Sequence, residues 1–164
     1  MDPTPRHGLV QKLLIADAAG EAMATPECVT LISGVGIEGD RYATRSGHWS
    51  DPRWPDQEIT LIEGEVLTRL GIEATQVRRN IVTSGLSLRT LIGKEFSVGE
   101  TRLVGVRVCD PCRYIEQFSR SGLMDELGDD GGLRARILVG GIVRLNDLVA
   151  AIAEPAFTER GRRA

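Results

Sequence analysis

Short runs of alternating apolar and polar residues fill most of the chain, and glycines punctuate them. The first run covers 8–15 and ends in the turn Asp17-Ala18-Ala19-Gly20. The second covers 28–32 and leads into a segment from Ser33 to Arg41 whose three glycines predict a backbone loop. Further β-like runs lie at 58–62, 78–83, 95–98, 101–109, 133–139 and 142–149. The pair at 95–98 and 101–109 reads as a hairpin about Val98-Gly99-Glu100, and the last two runs join through Gly140 and Gly141. Helical spacing is rarer. Val66, Leu67 and Leu70 predict a helix over 63–70, with Gly71 as its stop. Residues 86–92 predict one or two helical turns, and 113–127 a helix broken near Ser121 and Gly122. Residues 42–56, with His48, Trp49, Pro52, Trp54 and Pro55, read as a long irregular excursion of the kind that lines sites.

Many short strands, tight turns and few helical pieces predict a mainly β fold with a few short helices. The strands close into a barrel or a strongly curved sheet, with the helices near 63 and 113 packed outside. A chain of 164 residues fits one domain, with its core at about 9–149 and a flexible tail over 153–164. Aromatic residues make up only 4% of the sequence, so the core rests on Val, Leu and Ile.

Charge narrows the partners. A formal net charge of −3 gives no whole-protein attraction to nucleic acid or to an anionic membrane. The Arg160-Gly161-Arg162-Arg163 run reads as a solvated tail. No apolar stretch is long enough to span a bilayer, and no signal peptide is visible. Three cysteines do not make a disulfide framework, so reduced thiols in the cytoplasm are the simpler expectation.

Candidate chemistry centres on Cys109-Asp110-Pro111-Cys112-Arg113, directly after a predicted strand. Asp110 is a suitable N-cap and Pro111 a suitable first helical residue, which would put Cys112 in a helix's first turn beside Arg113. There it could ligate a soft metal or carry sulfur as a persulfide. Local chemistry leaves open that it is simply a small buried thiol. The CysXXCys spacing supplies two zinc ligands, but Cys28, His7 and His48 offer no second pair, so no zinc site is expected. A regulatory disulfide between Cys109 and Cys112 stays open.

Strand alternation over 78–83 would turn Arg78 and Asn80 to one face and Arg79 to the other. An Arg/Asn pair suits a phosphate or a pterin-like edge, and an exposed face with a cross-strand ion pair is the alternative. Arg134 and Arg136 likewise share a face and could add to a basic pocket. Arg41, at the end of the glycine loop, could hold an anion, with Asp40 bracing that loop. His48 has no partner in view as a general base. Gly34-Val35-Gly36-Ile37-Glu38-Gly39 precedes a proline-rich loop rather than a helix, so it is not a dinucleotide fingerprint.

Taken in order, Gly36 to Tyr42, Gln57 to Ile62, Arg78 to Val82, Leu91 to Gly99, Asp110-Pro111-Cys112 and Gly131 to Leu138 with its closing glycine pair resemble the markers of the MOSC domain. That family is named for the C-terminal domain of molybdenum-cofactor sulfurase. The resemblance covers about 9–149 and is to a stand-alone bacterial-type member. It implies a β-barrel of the pyruvate-kinase-barrel type that binds molybdenum cofactor or moves sulfur. It maps the functional cysteine onto Cys112, as metal ligand or persulfide carrier, and the Arg-X-Asn element onto Arg78 and Asn80. Arg41 and Arg136 join these as expected cofactor-binding residues. Some relatives reduce N-hydroxylated compounds at molybdenum, and others are attached to pyridoxal-phosphate sulfurases. This chain shows neither a sulfurase domain nor a ferredoxin-like cysteine set, so the resemblance implies a separate sulfur donor or electron-transfer protein and a small-molecule substrate. A reductase and a non-catalytic cofactor or sulfur carrier both remain open. Cys109 lies outside the family element.

Overall fold

The structure is a computed structural model that describes residues 7–51, 53 and 57–153. Pro52, Trp54, Pro55 and Asp56 of the predicted excursion, and the predicted tail from 154 onward, lie outside the described residues.

Ten strands form among the described residues: β1 (His7–Leu13), β2 (Cys28–Ile32), β3 (Gly36–Ile37), β4 (Ile59–Glu63), β5 (Ile81–Ser84), β6 (Glu95–Val98), β7 (Thr101–Val108), β8 (Leu133–Val139), β9 (Gly141–Arg144) and β10 (Leu148–Ala151). Seven close into a barrel in the order β1-β10-β6-β7-β8-β4-β5, with β5 returning to β1. Every neighbouring pair is antiparallel except β4 and β5. Strands β3, β2 and β9 make a separate small sheet. The expected mainly β barrel is therefore the observed architecture.

The periodicity explains the two cores. Inward positions such as Val10, Leu61, Ile81, Phe96, Leu103, Ala135 and Val149 fill the barrel, and Val29, Leu31 and Val143 of the small sheet join the same cluster. Outward positions Leu14, Ile62 and Val82 form a second cluster with α1 (Gly64–Leu70), α2 (Ala74–Val77) and α3 (Leu123–Leu127). β4 is consequently buried on both faces, which is why Ile59, Thr60, Leu61 and Ile62 do not alternate in exposure. The helices do pack outside the barrel, as the pattern predicts. Gly71 ends α1 in a left-handed conformation (φ 63°), where its N–H meets the carbonyls of Leu67 and Thr68.

Four local expectations are corrected. The strand read from residue 78 begins at Ile81, because α2 precedes it and Arg78 caps that helix in a left-handed conformation (φ 57°). The run 142–149 is two strands, split where Asn146 turns left-handed (φ 70°) and Asp147 accepts from the Arg144 N–H. The helix read over 113–127 is interrupted before Leu123, near the expected break at Ser121 and Gly122, but its first part, Arg113–Phe118, is a 3-10 segment rather than an α-helix. Cys112 is itself the N-cap of that 3-10 segment, in extended backbone, rather than a first-turn residue behind an Asp110 cap.

Candidate functional site

The site lies on the outer wall of the barrel, not in its lumen. Thr60 of β4 is opposite Arg134 of β8, and Arg134 is opposite Arg107 of β7. Their sheet neighbours Leu61 and Leu133 point into the barrel, so Thr60 and Arg134 point out. Two segments roof this patch: the loop from Asp40 to Asp51 and the stretch from Cys109 to Phe118. His48 stacks on Tyr114 at 3.8 Å between ring centres and meets Trp49 edge-on at 4.8 Å. Tyr114 in turn meets Phe118 edge-on, and the Arg78 guanidinium lies 4.5 Å over the Phe118 ring. This aromatic stack ties the two roof segments together. It gives His48 a packing role that its isolation in the sequence does not suggest.

Under the roof is a small, partly open pocket with about 30 Å³ of free volume. Arg41, Arg78, Arg79, Arg134, Cys109 and Cys112 all line it, as do Tyr42, Tyr114 and Asp110. It adjoins a wider cleft of about 300 Å³ whose walls include Trp49, Gln57, Arg107, Cys112 and Arg134. Cys112 and Arg134 border both spaces, while Cys109 borders only the inner one.

Four guanidiniums so close together repel one another, and backbone and side-chain contacts hold them there. Asp40 is wholly buried and bonds Arg41 Nη1 at 3.0 Å, while Arg41 Nη2 donates to the Arg78 carbonyl at 2.9 Å. Arg78 Nη1 donates to the Glu21 carbonyl at 2.6 Å. Arg79 Nε donates to the Gly131 carbonyl at 2.8 Å and its Nη1 to the Val77 carbonyl at 3.2 Å. Gly131 lets the 109–111 segment pack close, since a side chain there would collide with the Cys109 carbonyl and the Pro111 ring. Arg134 donates to Gln57 Oε1 and, at 3.5 Å, to Cys109 Sγ. Even so, Arg78 Nε and Nη2, Arg79 Nη2 and Arg134 Nε are buried without a partner, as is the Tyr114 hydroxyl. Buried donors left open in this way mark a place for an acceptor. Burial and then the neighbouring Arg41 lower Arg78 from its ordinary value, so its charge is held at a cost that a bound anion would relieve. Burial raises the Tyr42 phenol, against the pull of Arg41, Arg134 and Arg79, and keeps its hydroxyl protonated.

Of the residues singled out in the sequence, Cys112, Arg41 and Arg78 line the pocket together. Asn80 and Arg136 do not. Asn80 is fully buried: its Oδ1 accepts from the Thr60 N–H and hydroxyl, and its Nδ2 donates to the Leu14 carbonyl. The shared strand face expected for Arg78 and Asn80 is thus absent, because Arg78 precedes the strand. Arg136 is largely exposed and pairs with Glu58 at 3.3 Å. Arg79, expected to face away, is a pocket residue: the left-handed turn at Arg78 breaks the alternation, and both guanidiniums reach the same space. Tyr42 and Trp49 of the 42–56 segment, expected to line a site, do so, and Arg107 joins them although no spacing rule marks it. Replacing Asn80 with alanine is expected to lower unfolding free energy by about 2–3 kcal/mol, because the Thr60 and Leu14 backbone groups lose buried partners. Denaturant melts check this; an unchanged midpoint would refute the bracing role.

No group of three or more His, Cys, Asp or Glu side chains is placed to hold a metal among the described residues. A metal at Cys112 would need most of its ligands from a bound cofactor. No helix among the described residues is long and apolar enough to cross a membrane.

The family model of the MOSC domain matches residues 54–150. The fold is similar to that of the YuaD protein from Bacillus subtilis, with a TM-score of 0.72 at 16% identity, covering 91% of this chain and 97% of that one. YiiM from Escherichia coli aligns with a TM-score of 0.65 at 17% identity, covering 92% of this chain and 72% of that one. YiiM from Geobacillus stearothermophilus gives 0.63 at 13% identity over 92% and 77% of the two chains. No curated protein matches the chain.

Proposed function

The chain belongs to the MOSC domain family, and from that premise we propose that it binds a molybdenum cofactor or carries sulfur, with Cys112 Sγ as metal ligand or sulfur acceptor. The observation that carries this reading is the convergence of four buried guanidiniums, several with open N–H donors, on a pocket walled by Cys112. The donor set fits such a group. Arginine N–H pairs suit phosphate oxygens, and a cysteine sulfur suits molybdenum or a sulfane sulfur. Arg78, Arg79 and Arg134 would hold the anionic part, and Cys112, bordering both spaces, would meet the reactive atom. When bound, the cofactor would supply two-electron redox chemistry at molybdenum, as in a reductase of N-hydroxylated compounds. The roof of His48, Trp49 and Tyr114 would limit water, and Tyr42 would keep a proton-bearing hydroxyl on the pocket wall. A separate protein would deliver electrons or sulfur.

Elemental analysis and intact mass of freshly purified protein test the two branches. Stoichiometric molybdenum supports the reductase, and a metal-free persulfide on Cys112 supports the carrier. Neither molybdenum nor added sulfur, even after loading, would overturn the proposal. In cofactor titrations, Arg78→Ala and Arg79→Ala are each expected to weaken binding by about 1.5–3 kcal/mol, the scale of a lost charged hydrogen bond. Arg136→Ala, which breaks only an exposed pair with Glu58, should change it by less than about 1 kcal/mol. Normal binding by Arg79→Ala would remove Arg79 from the site.

A further inference from the structure

We propose that Cys109 is a resolving thiol that discharges a sulfur atom carried on Cys112 as sulfide, which rests on the sulfur-carrying branch of the reading above. Three observations bring the two thiols into one reaction space. Both line the inner pocket, whose free volume of about 30 Å³ has room for a water or a sulfur atom between its walls. Cys112 alone of the pair also borders the outer cleft, so sulfur can arrive on it from outside and then face Cys109 within. Cys109, only 2% exposed, is held on the pocket side: its N–H donates to the Gly132 carbonyl at 2.8 Å, and Arg134 Nη2 donates to its sulfur at 3.5 Å.

The step balances without an outside oxidant. Cys109 Sγ attacks the Cys112 Sγ of the persulfide, a sulfur–sulfur bond forms between the two cysteines, and the bond to the terminal sulfur breaks. That terminal sulfur takes the electron pair and the Cys109 proton and leaves as hydrogen sulfide. The sulfane sulfur is reduced and the two thiols are oxidised to a disulfide. The open N–H groups of Arg78 and Arg79 lie where a departing sulfide would be received. A dithiol reductant must then reopen the disulfide for another round, and the sulfide feeds a sulfur-incorporating reaction.

The experiment uses the full chain with Cys28→Ser, which removes an exposed thiol outside the pocket. The reduced protein is treated briefly with sodium tetrasulfide and desalted. Released sulfide is followed with time, and the tryptic peptide holding Cys109 and Cys112 is weighed. We expect one equivalent of sulfide to appear together with the loss of two hydrogens from that peptide. With Cys109→Ser, the sulfur should stay on Cys112 and release should slow about tenfold or more. Cys109→Ala repeats the comparison if serine disturbs folding, and the disulfide in the Cys28→Ser protein needs no further variant. A persulfide on Cys112 that decays equally fast with and without Cys109, or sulfide release without the disulfide, overturns the inference and leaves the carrier reading standing. Failure of Cys112 to take up sulfur in any variant overturns both.

Discussion

Replacing Asp40 with alanine is expected to cost about 3–5 kcal/mol of stability, because it leaves a buried cation without its counter-charge. Asp40 is wholly buried, and its Oδ1 accepts from the Ala16 N–H and Arg41 Nη1, both at 3.0 Å. Its Oδ2 accepts from the Tyr42 N–H at 3.3 Å. One carboxylate thus fixes the end of the glycine loop, the strand-exit residue Ala16 and the guanidinium that supports the Arg78 carbonyl. Without it, Arg41 would stand among Arg78, Arg79 and Arg134 without its ion-pair partner. Adding Arg41→Met to the alanine variant should recover part of the loss, since the double change removes the stranded charge. Urea unfolding of the three proteins measures this. A single-variant cost under about 1 kcal/mol would mean that the pair is not the strut of the site.

Cys112→Ser is expected to abolish retention of molybdenum or of a transferable sulfur while leaving the melting temperature nearly unchanged. The first effect follows from softness: an alcohol oxygen is a poor ligand for a soft metal and cannot hold sulfane sulfur. The second follows from placement. Cys112 is only partly buried, it caps the Arg113–Phe118 segment without a side-chain bond, and it belongs to neither apolar cluster. Elemental analysis, intact mass and a thermal melt on the same preparation separate the two effects. A serine variant that still binds stoichiometric molybdenum or sulfur would move the reactive sulfur elsewhere, with Cys109 the first place to look.

The sequence by itself determined the barrel, because many short apolar runs, several with a period-two pattern, are separated by turn residues. Glycine after the helix at 64–70 and the Gly99-Glu100 turn between β6 and β7 are local stop signals that need no distant partner. The MOSC family was legible too, through its ordered markers. What the tertiary structure alone decided was which arginines meet. Arg78 and Asn80 lie two apart in a run that reads as a strand, yet a left-handed residue at 78 takes the first out of the sheet and frees Arg79 to turn inward. Nothing local to Arg78 dictates a positive φ; its carbonyl is held by Arg41, 37 residues earlier. Arg134 and Arg136 share a strand face, but one lies beneath the roof and the other beside Glu58, and only the closure of the 40–51 loop over β8 separates their fates. Periodicity fixes the face on which a side chain stands. What stands opposite it depends on segments far away in the chain, so the pocket emerges only when the barrel closes and its outer wall is roofed.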